Sequence, residues 1–519
     1  MIYFLNSGFG ENKSGIEHAE IKRIHLFDYH HQPCTLVTRE WDRSLHSITA
    51  KAGISDNQLL NLYDFYQGTR HVDSVRVGYK DVDLGISDVN YHRDENNQRY
   101  LAYREDGRLI ARINYDPDDH DQVISTEMFD GELNLYAVVI YDKRGFRSKI
   151  DWYSPDNHVE RSEWVNLNGQ VVIEQYNDFD PEAKKNDKMV TTGYRLCDRR
   201  GKVLNFYTFA GLYQKFLNDI NAHGQNILIS DRGLVSDQQI LHLDRPAYKV
   251  LHLHNSQAVD VQDEMHSDLN DNYEYSLWNI DQFDAIISST KKQTRDVIAR
   301  FHPQHAHMFT IPVGIVPDQQ LRAKRVSVSQ RTPGKVIIVA RVAPEKQMSR
   351  IVKSLAMVKK DVPSVSLDIW GYVNSDKEKA KIIKTANECG MADAVHFKGY
   401  TTNLSAVYDH ARVFALASEM EGFNLAIMEA ISHGVVGVTY DTNYGPNEII
   451  EDGQNGYVVP FDDEKAMARR ISELLSDDHK LQQFSDAAYD SAQRYSGDNV
   501  WKNWQQLIND AKRSFGEAK

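Results

Sequence analysis

The chain has 519 residues, and 60 Lys plus Arg against 74 Asp plus Glu leave a formal net charge of −14. Single cores stop growing near roughly 250–300 residues, so two or three domains are expected. Hydrophobic residues at 41% and charged residues at 26% exclude global disorder. The acid excess argues against nucleic acid or an anionic membrane surface as the main partner, since both are met with clustered Lys and Arg. Cys34, Cys197 and Cys389 give neither a disulfide framework nor a zinc spacing, which fits a reducing cytoplasm. Residues 1–10 have neither a basic start nor a long apolar stretch, so a signal peptide is not expected. The longest apolar runs, such as 336–340, fall far short of the about 20 residues that span a bilayer. The expected location is the cytoplasm, with the inner face of the membrane as the alternative.

In chain order, residues 2–6 read as a strand that enters the polar, glycine-containing loop 7–15. A helix is expected over 16–27 and a strand over 35–38. From about 80 to 200 the rhythm changes. Segments 100–104, 109–114, 133–142 and 171–176 alternate apolar and polar residues, broken by Asp106-Gly107, Asp130-Gly131, Arg144-Gly145 and Asn168-Gly169. This is hairpin chemistry and predicts an antiparallel meander. Strands return at 226–230, 249–252 and 285–289, with a helix over 290–300. The clearest region follows, with strands at 335–342, 365–370, 395–398, 413–418 and 435–440 and helices at 347–359, 377–388, 404–411 and 425–432. Short strands alternating with helices predict a parallel sheet covered on both faces, with ligands beyond the carboxyl ends of its strands.

The residues with chemistry gather at those ends. Arg341 closes one predicted strand and Lys346 follows five residues later. Beyond the strand 413–418, Glu421 lies in a turn and Phe423, Asn424 and Leu425 open a helix that carries Glu429 two turns on. Helix N-termini favour phosphate or an electron-rich oxygen. His252 ends the strand 249–252, with His254 two residues later. Gly15, in the first loop between strand and helix, would let backbone approach a ligand, and Ser14 reads as that helix's cap. Asp116-Pro-Asp-Asp119 and Asp178-Phe-Asp180 read as solvated acidic turns rather than metal ligands, and no metal set is expected.

Arg341-Val-Ala-Pro-Glu-Lys346 and Glu421-Gly-Phe-Asn-Leu-Ala-Ile-Met-Glu429, with Tyr444-Gly-Pro and Ile450-Glu-Asp-Gly-Gln-Asn-Gly-Tyr457, resemble the signature of retaining GT-B glycosyltransferases of family four. Ser14-Gly-Ile-Glu-His-Ala-Glu20, residues 46–62 and the meander resemble a narrower group. It comprises the O-GlcNAc transferases of serine-rich and serine-aspartate surface adhesins and the alpha-glycosyltransferases of wall teichoic acid. The resemblance implies an α/β, GT-B fold: two doubly wound Rossmann-like domains with an antiparallel β-meander inserted in the N-terminal one. The expected division is an N-terminal acceptor domain over 1–80 and 201–315, the meander over 81–200, and a nucleotide-sugar domain over 316–490. A last helix over 491–519 is expected to pack back on the N-terminal domain.

By the same resemblance Arg341 and Lys346 neutralise the diphosphate of a UDP-sugar, Glu421 holds sugar hydroxyls, Glu429 holds the ribose and His252 meets the donor sugar. Gly15, Gly371, Phe423, Asn424 and Leu425 complete the donor site, with no cofactor and no metal. Two departures stand out: relatives carry a second glycine after Gly371, where this chain has Val373, and glycine where it has Asn424. The implied reaction moves GlcNAc or glucose, with retention, to Ser/Thr hydroxyls of a bacterial surface protein. The alternatives are alpha-glycosylation of polyol-phosphate teichoic acid and a non-catalytic partner subunit. The implied partners are the UDP-sugar, the acceptor, and a second copy or a related glycosyltransferase subunit. Residues 91–200 hold 16 basic and 22 acidic residues, with one basic cluster at Lys143, Arg144, Arg147 and Lys149. This balance favours a protein acceptor over a polyanion.

Overall fold

Apolar, β-branched runs set the strands of both halves of the chain. In the computed structural model, which describes residues 1–517 other than 12, 183–187, 199 and 402, the chain packs as two compact units. Residues 1–13 and 27–247 form the first, and residues 14–26 and 248–519 form the second.

In the first unit the strand Ile2–Asn6 lies between Ile227–Ser230 and Cys34–Thr38, with Leu59–Asn61 beyond, all parallel. Ten antiparallel strands, from Asn90–Asp94 to Val203–Phe206, follow one another in sequence order as the expected meander. Several of its hairpins turn where the sequence places Gly after a polar residue, at Gly107, Gly131, Gly145, Gly169 and Gly201. At the turn of Asp142 to Phe146, Gly145 has φ +94°, and a Cβ there would lie 1.7 Å from the Val75 carbonyl oxygen. The meander is anchored on the short helix Leu62–Gln67, beside which lies the helix Leu45–Lys51. The Trp164 ring packs on Tyr63 with centroids 4.5 Å apart, and the Gln67 amide donates to the carbonyls of Val165 and Ser148 at 2.7 and 2.9 Å.

Beside these contacts runs a buried charge network. Arg144 donates to Asp142 at 2.9 Å, to Asp64 at 3.0 Å and to the Thr69 carbonyl at 2.7 Å. His46 bridges Asp56 at 2.7 Å and Asp64 at 2.9 Å. Asp116 departs from the expected solvated turn: it is buried and pairs with Lys143 at 3.5 Å.

The second unit holds three parallel strands, Tyr248–Leu253, Ala285–Ser288 and His307–Thr310, and a six-stranded parallel sheet. The latter runs in the order Val395–Gly399, Ser366–Trp370, Lys335–Val339, Val413–Leu416, Val436–Tyr440, Gly456–Val459. This is a doubly wound order, whose ligand crevice lies at the carboxyl ends of the strands. Ile337, Ile338, Leu367, Phe414, Ile351, Leu355 and Ile427 fill its core. The strand expected over 335–342 stops at Val339, although the Ala340 and Val342 amides still donate to Trp370 and Tyr372 at 2.9 Å. The last helix, Gly497–Glu517, reaches Tyr248 and His307 through Asp510, at 2.5 and 2.6 Å.

Candidate functional site

The predicted site residues of the second unit converge on one turn. Asn424 caps the helix Leu425–Ser432 with its side-chain oxygen, which accepts the Ile427 amide at 2.9 Å. Its backbone is left-handed, φ 72°, a conformation that Gly and Asn tolerate best, which explains Asn where relatives carry Gly. The Asn424 amide donates to Glu421 at 2.9 Å, and the Lys346 ammonium reaches the same carboxylate oxygen at 2.7 Å. Lys346 ends the short turn Pro344–Lys346 that follows the strand Lys335–Val339. Both charged side chains are nearly buried, 13% and 9% exposed, so little water screens the pair. The Glu421 main chain is also fixed: its amide donates to the Asn443 carbonyl at 3.2 Å and its carbonyl accepts from the Tyr444 amide at 2.7 Å.

This turn lies against the loop that follows the strand Tyr248–Leu253. A Cβ on Gly422 would sit 1.9 Å from the His254 carbonyl oxygen, so only glycine permits the approach. Gln257 donates to the Tyr444 hydroxyl at 2.7 Å, and Asn443 donates to the Val261 carbonyl at 2.8 Å. His252, buried in that strand, has its ring centroid 4.0 Å from His254. Its Nδ1 faces Arg23 Nη1 at 3.2 Å.

The remaining residues take different positions. Arg341 is 48% exposed and pairs with Glu345 at 2.7 Å, an arrangement that contributes little to stability at a surface. Gly371, at φ +140°, lets the chain cross within 2.1 Å of the Ala340 carbonyl oxygen, measured from where a Cβ would stand. Phe423 is core: it is buried, and its ring meets Tyr495 edge-on at 5.5 Å. Leu425 is half-buried at the start of its helix. Glu429 pairs with Lys22 at 2.5 Å and accepts the Tyr408 hydroxyl at 3.4 Å. Burial pushes that hydroxyl's pKa well above the usual tyrosine value, so it stays a donor. Gly15 opens the helix Gly15–Tyr29, with no atom within 4 Å of a Cβ placed on it. Ser14 caps this helix, its amide donating to Glu17 at 2.6 Å.

The structure therefore brings Lys346, Glu421 and Asn424 together beside the His252 loop, and holds Glu429 through Lys22. Sequence reasoning missed Lys22, Arg23 and Glu345. Lys22 and Arg23 follow the Ser14–Glu17 cap on a helix whose facing surface no local pattern reveals. Nor do Arg341 and Lys346 stand as bare cations, since each meets a carboxylate four residues or one loop away.

Residues 319–491 match the family of glycosyl transferases group 1. That match falls within the second unit. The whole chain is 24% identical over 527 residues to the UDP-N-acetylglucosamine–peptide N-acetylglucosaminyltransferase GtfA subunit of Streptococcus pneumoniae, covering 98% of each. It is 25% identical to the poly(glycerol-phosphate) alpha-glucosyltransferase of Bacillus subtilis, covering 98% of this chain and 74% of that protein. Among solved structures, the pneumococcal O-GlcNAc transferase GtfA in complex with UDP and GlcNAc superposes with a TM-score of 0.80 at 23% identity, over 98% of both chains. The fold is thus GT-B, with two Rossmann-like halves and a meander in the first, as the sequence resemblance implied.

Proposed function

We propose that this chain transfers a hexose, GlcNAc or glucose, from a UDP-sugar to Ser/Thr hydroxyls of a surface protein, with retention. The observation that carries the reading is the Lys346–Glu421–Asn424 cluster, set at strand carboxyl ends against the His254 carbonyl in a glycosyl transferases group 1 domain. Lys346 and Arg341 take up the diphosphate, which competes with Glu421 and Glu345 for them. The positive end of the helix Leu425–Ser432 adds to that field. Glu421, fixed by Asn424, accepts from vicinal sugar hydroxyls. Glu429 accepts from the ribose, and His252 donates to the sugar. Negative charge develops on the departing diphosphate, and these fixed groups stabilise it without reorganising. The acceptor hydroxyl attacks from the face that the diphosphate leaves, and the diphosphate takes its proton. This route needs no nucleophilic carboxylate and no metal, and its setting is the cytoplasm. Among the described residues no helix is long and apolar enough to cross a membrane.

Charge supports the protein acceptor. Three of the four residues of the meander's basic cluster are paired from within, while Arg147 is exposed: Arg144 is buried on Asp142 and Asp64, Lys149 pairs with Asp151 at 2.9 Å, and Lys143 pairs with Asp116. Arg112, Arg161 and Arg195 likewise face Glu127, Glu163 and Glu174. These pairs reduce the positive charge that this part of the meander offers to a polyanion. The Bacillus subtilis relative, named for poly(glycerol-phosphate), favours the polymer as the second reading. The pneumococcal relative is named as a subunit, which supports a second glycosyltransferase chain as partner. Incubation with UDP-GlcNAc or UDP-glucose and either a Ser-rich peptide or a polyol-phosphate polymer separates the two readings. Mass gain on the peptide is expected; gain on the polymer alone overturns the acceptor, and gain on neither overturns the transfer.

A further inference from the structure

The helix Gly15–Tyr29 aims two consecutive cations at two different parts of the second unit. Lys22 meets Glu429 on the helix Leu425–Ser432 at 2.5 Å, and Arg23 meets His252 on the strand Tyr248–Leu253 at 3.2 Å. Successive helical residues point roughly 100° apart, so one helix can brace both elements. Building on the donor-site reading above, we propose that Lys22 and Arg23 are positioning residues: Lys22 aims the Glu429 carboxylate, and Arg23 fixes the tautomer of His252.

Arg23 is 4% exposed, and its guanidinium lies over the Trp504 ring, 5.7 Å from the centroid. Trp504 also meets the His252 ring edge-on at 6.3 Å. The guanidinium is thus held in place by packing. It has only N–H donors and no acceptor, and it keeps its proton in proteins. At 3.2 Å the Nδ1 of His252 must therefore offer a lone pair, because a proton there would set N–H against N–H. The neutral ring then carries its hydrogen on Nε2. His252 consequently presents an N–H donor, suited to a sugar or phosphate oxygen, rather than a base. Lys22 acts in parallel. It holds one oxygen of Glu429 while the Tyr408 hydroxyl holds the other at 3.4 Å, so the carboxylate has one orientation available.

The test uses the full chain with Lys22→Met, Lys22→Arg, Arg23→Met and Arg23→Lys, each alone and combined with Glu429→Gln or His252→Asn. UDP affinity is measured by calorimetry, and transfer with either UDP-sugar gives kcat and KM. Lys22→Met is expected to weaken UDP about tenfold, to add nothing on top of Glu429→Gln, and to be rescued by Lys22→Arg. Arg23→Met is expected to lower kcat by about 10²-fold with KM little changed, and to add nothing on top of His252→Asn. In ¹⁵N spectra of histidine-labelled protein, with His252 assigned by its absence in His252→Asn, Nδ1 should be pyridine-like in the wild type and should lose that character in Arg23→Met. Arg23→Lys keeps a charge without the planar fork, and it replaces Arg23→Met should the latter not fold. Multiplicative effects in the double variants, or an unchanged tautomer without Arg23, would overturn the proposal. A wild type that binds no UDP and transfers nothing would overturn the donor-site reading, and the tautomer would still decide the role of Arg23.

Discussion

Two buried histidines, one in each unit, show how the same side chain is set to opposite ends. His46 in the first unit lies between the carboxylates of Asp56 and Asp64. Burial opposes its charging, yet the hydrogen bond and charge of Asp64, with Asp56 behind, raise its pKa. His252 in the second unit faces the guanidinium of Arg23 and must accept from it. The first network closes on itself: Arg144, Asp142, Asp64, Thr69 and His46 satisfy one another and tie the meander to the helices beneath it. The second cluster is organised around one turn, and its ion pair stands where the chain demands a glycine and a left-handed asparagine. Full mutual satisfaction marks scaffold. Close backbone approach is common to both, since Gly145 beside Arg144 meets the Val75 carbonyl as Gly422 meets that of His254; what sets the second cluster apart is its place beyond the carboxyl ends of parallel strands.

The contrast breaks most sharply at Lys346. Lys346→Ala removes the cation proposed to receive the diphosphate, and kcat should fall about 10²–10³-fold. It also leaves Glu421, 9% exposed, without its counter-charge, so unfolding free energy should drop by about 3–5 kcal/mol. Transfer kinetics and urea unfolding on the same protein check both effects. Full activity would show that Lys346 does not serve the donor.

Arg144→Met tests the other side. It strands Asp142 and Asp64 in a buried network, and stability should again fall by about 3–5 kcal/mol. UDP affinity, measured below the melting temperature, should stay at the wild-type value. A weakened UDP affinity would mean that this network is more than scaffold. Gly422→Ala has a smaller effect on folding, about 1–3 kcal/mol, because the turn must back away from the His254 carbonyl. That retreat should show as lost transfer out of proportion to lost stability. Gly10→Ala, with nothing within 4 Å of the new Cβ, serves as the control.

Much of this layout is legible in the chain. The short β-branched or apolar runs at 335–339, 366–370 and 413–416, each set between helical segments, read as strands, and the Gly-containing turns between 100 and 200 announce hairpins. Glu421 and Lys346 stand out because they recur at strand ends, where a doubly wound sheet binds ligands. What stays hidden is contact between distant segments. Nothing around Lys22 or Arg23 says that they reach residues more than 200 positions away, and nothing around Arg144 says that its charge is buried rather than displayed. The replacement of glycine by Asn424 looks like a departure in one dimension, and it becomes conservative once φ is known.

The smallest effect concerns pH, and it isolates His46. Its pKa is raised in the folded chain, so the stability it contributes is complete below the unfolded value, about 6.5, and is lost as pH rises through the folded value. Asp64 behaves in the opposite sense. Burial would raise its pKa, but His46 and Arg144 lower it, and its contribution fades only as pH falls through the acid range. Thermal unfolding of the wild type should therefore show a plateau with a shallow decline on the alkaline side. His46→Asn should lose that alkaline decline and weaken the acid one, because Asp64 keeps Arg144 and Thr69 but loses His46. The difference between the two curves cancels what both proteins share. A difference curve that is flat above pH 6.5 would mean that His46 is not held protonated by its two carboxylates. The electrostatic opposition between His46 and His252 would then fail on the first unit's side.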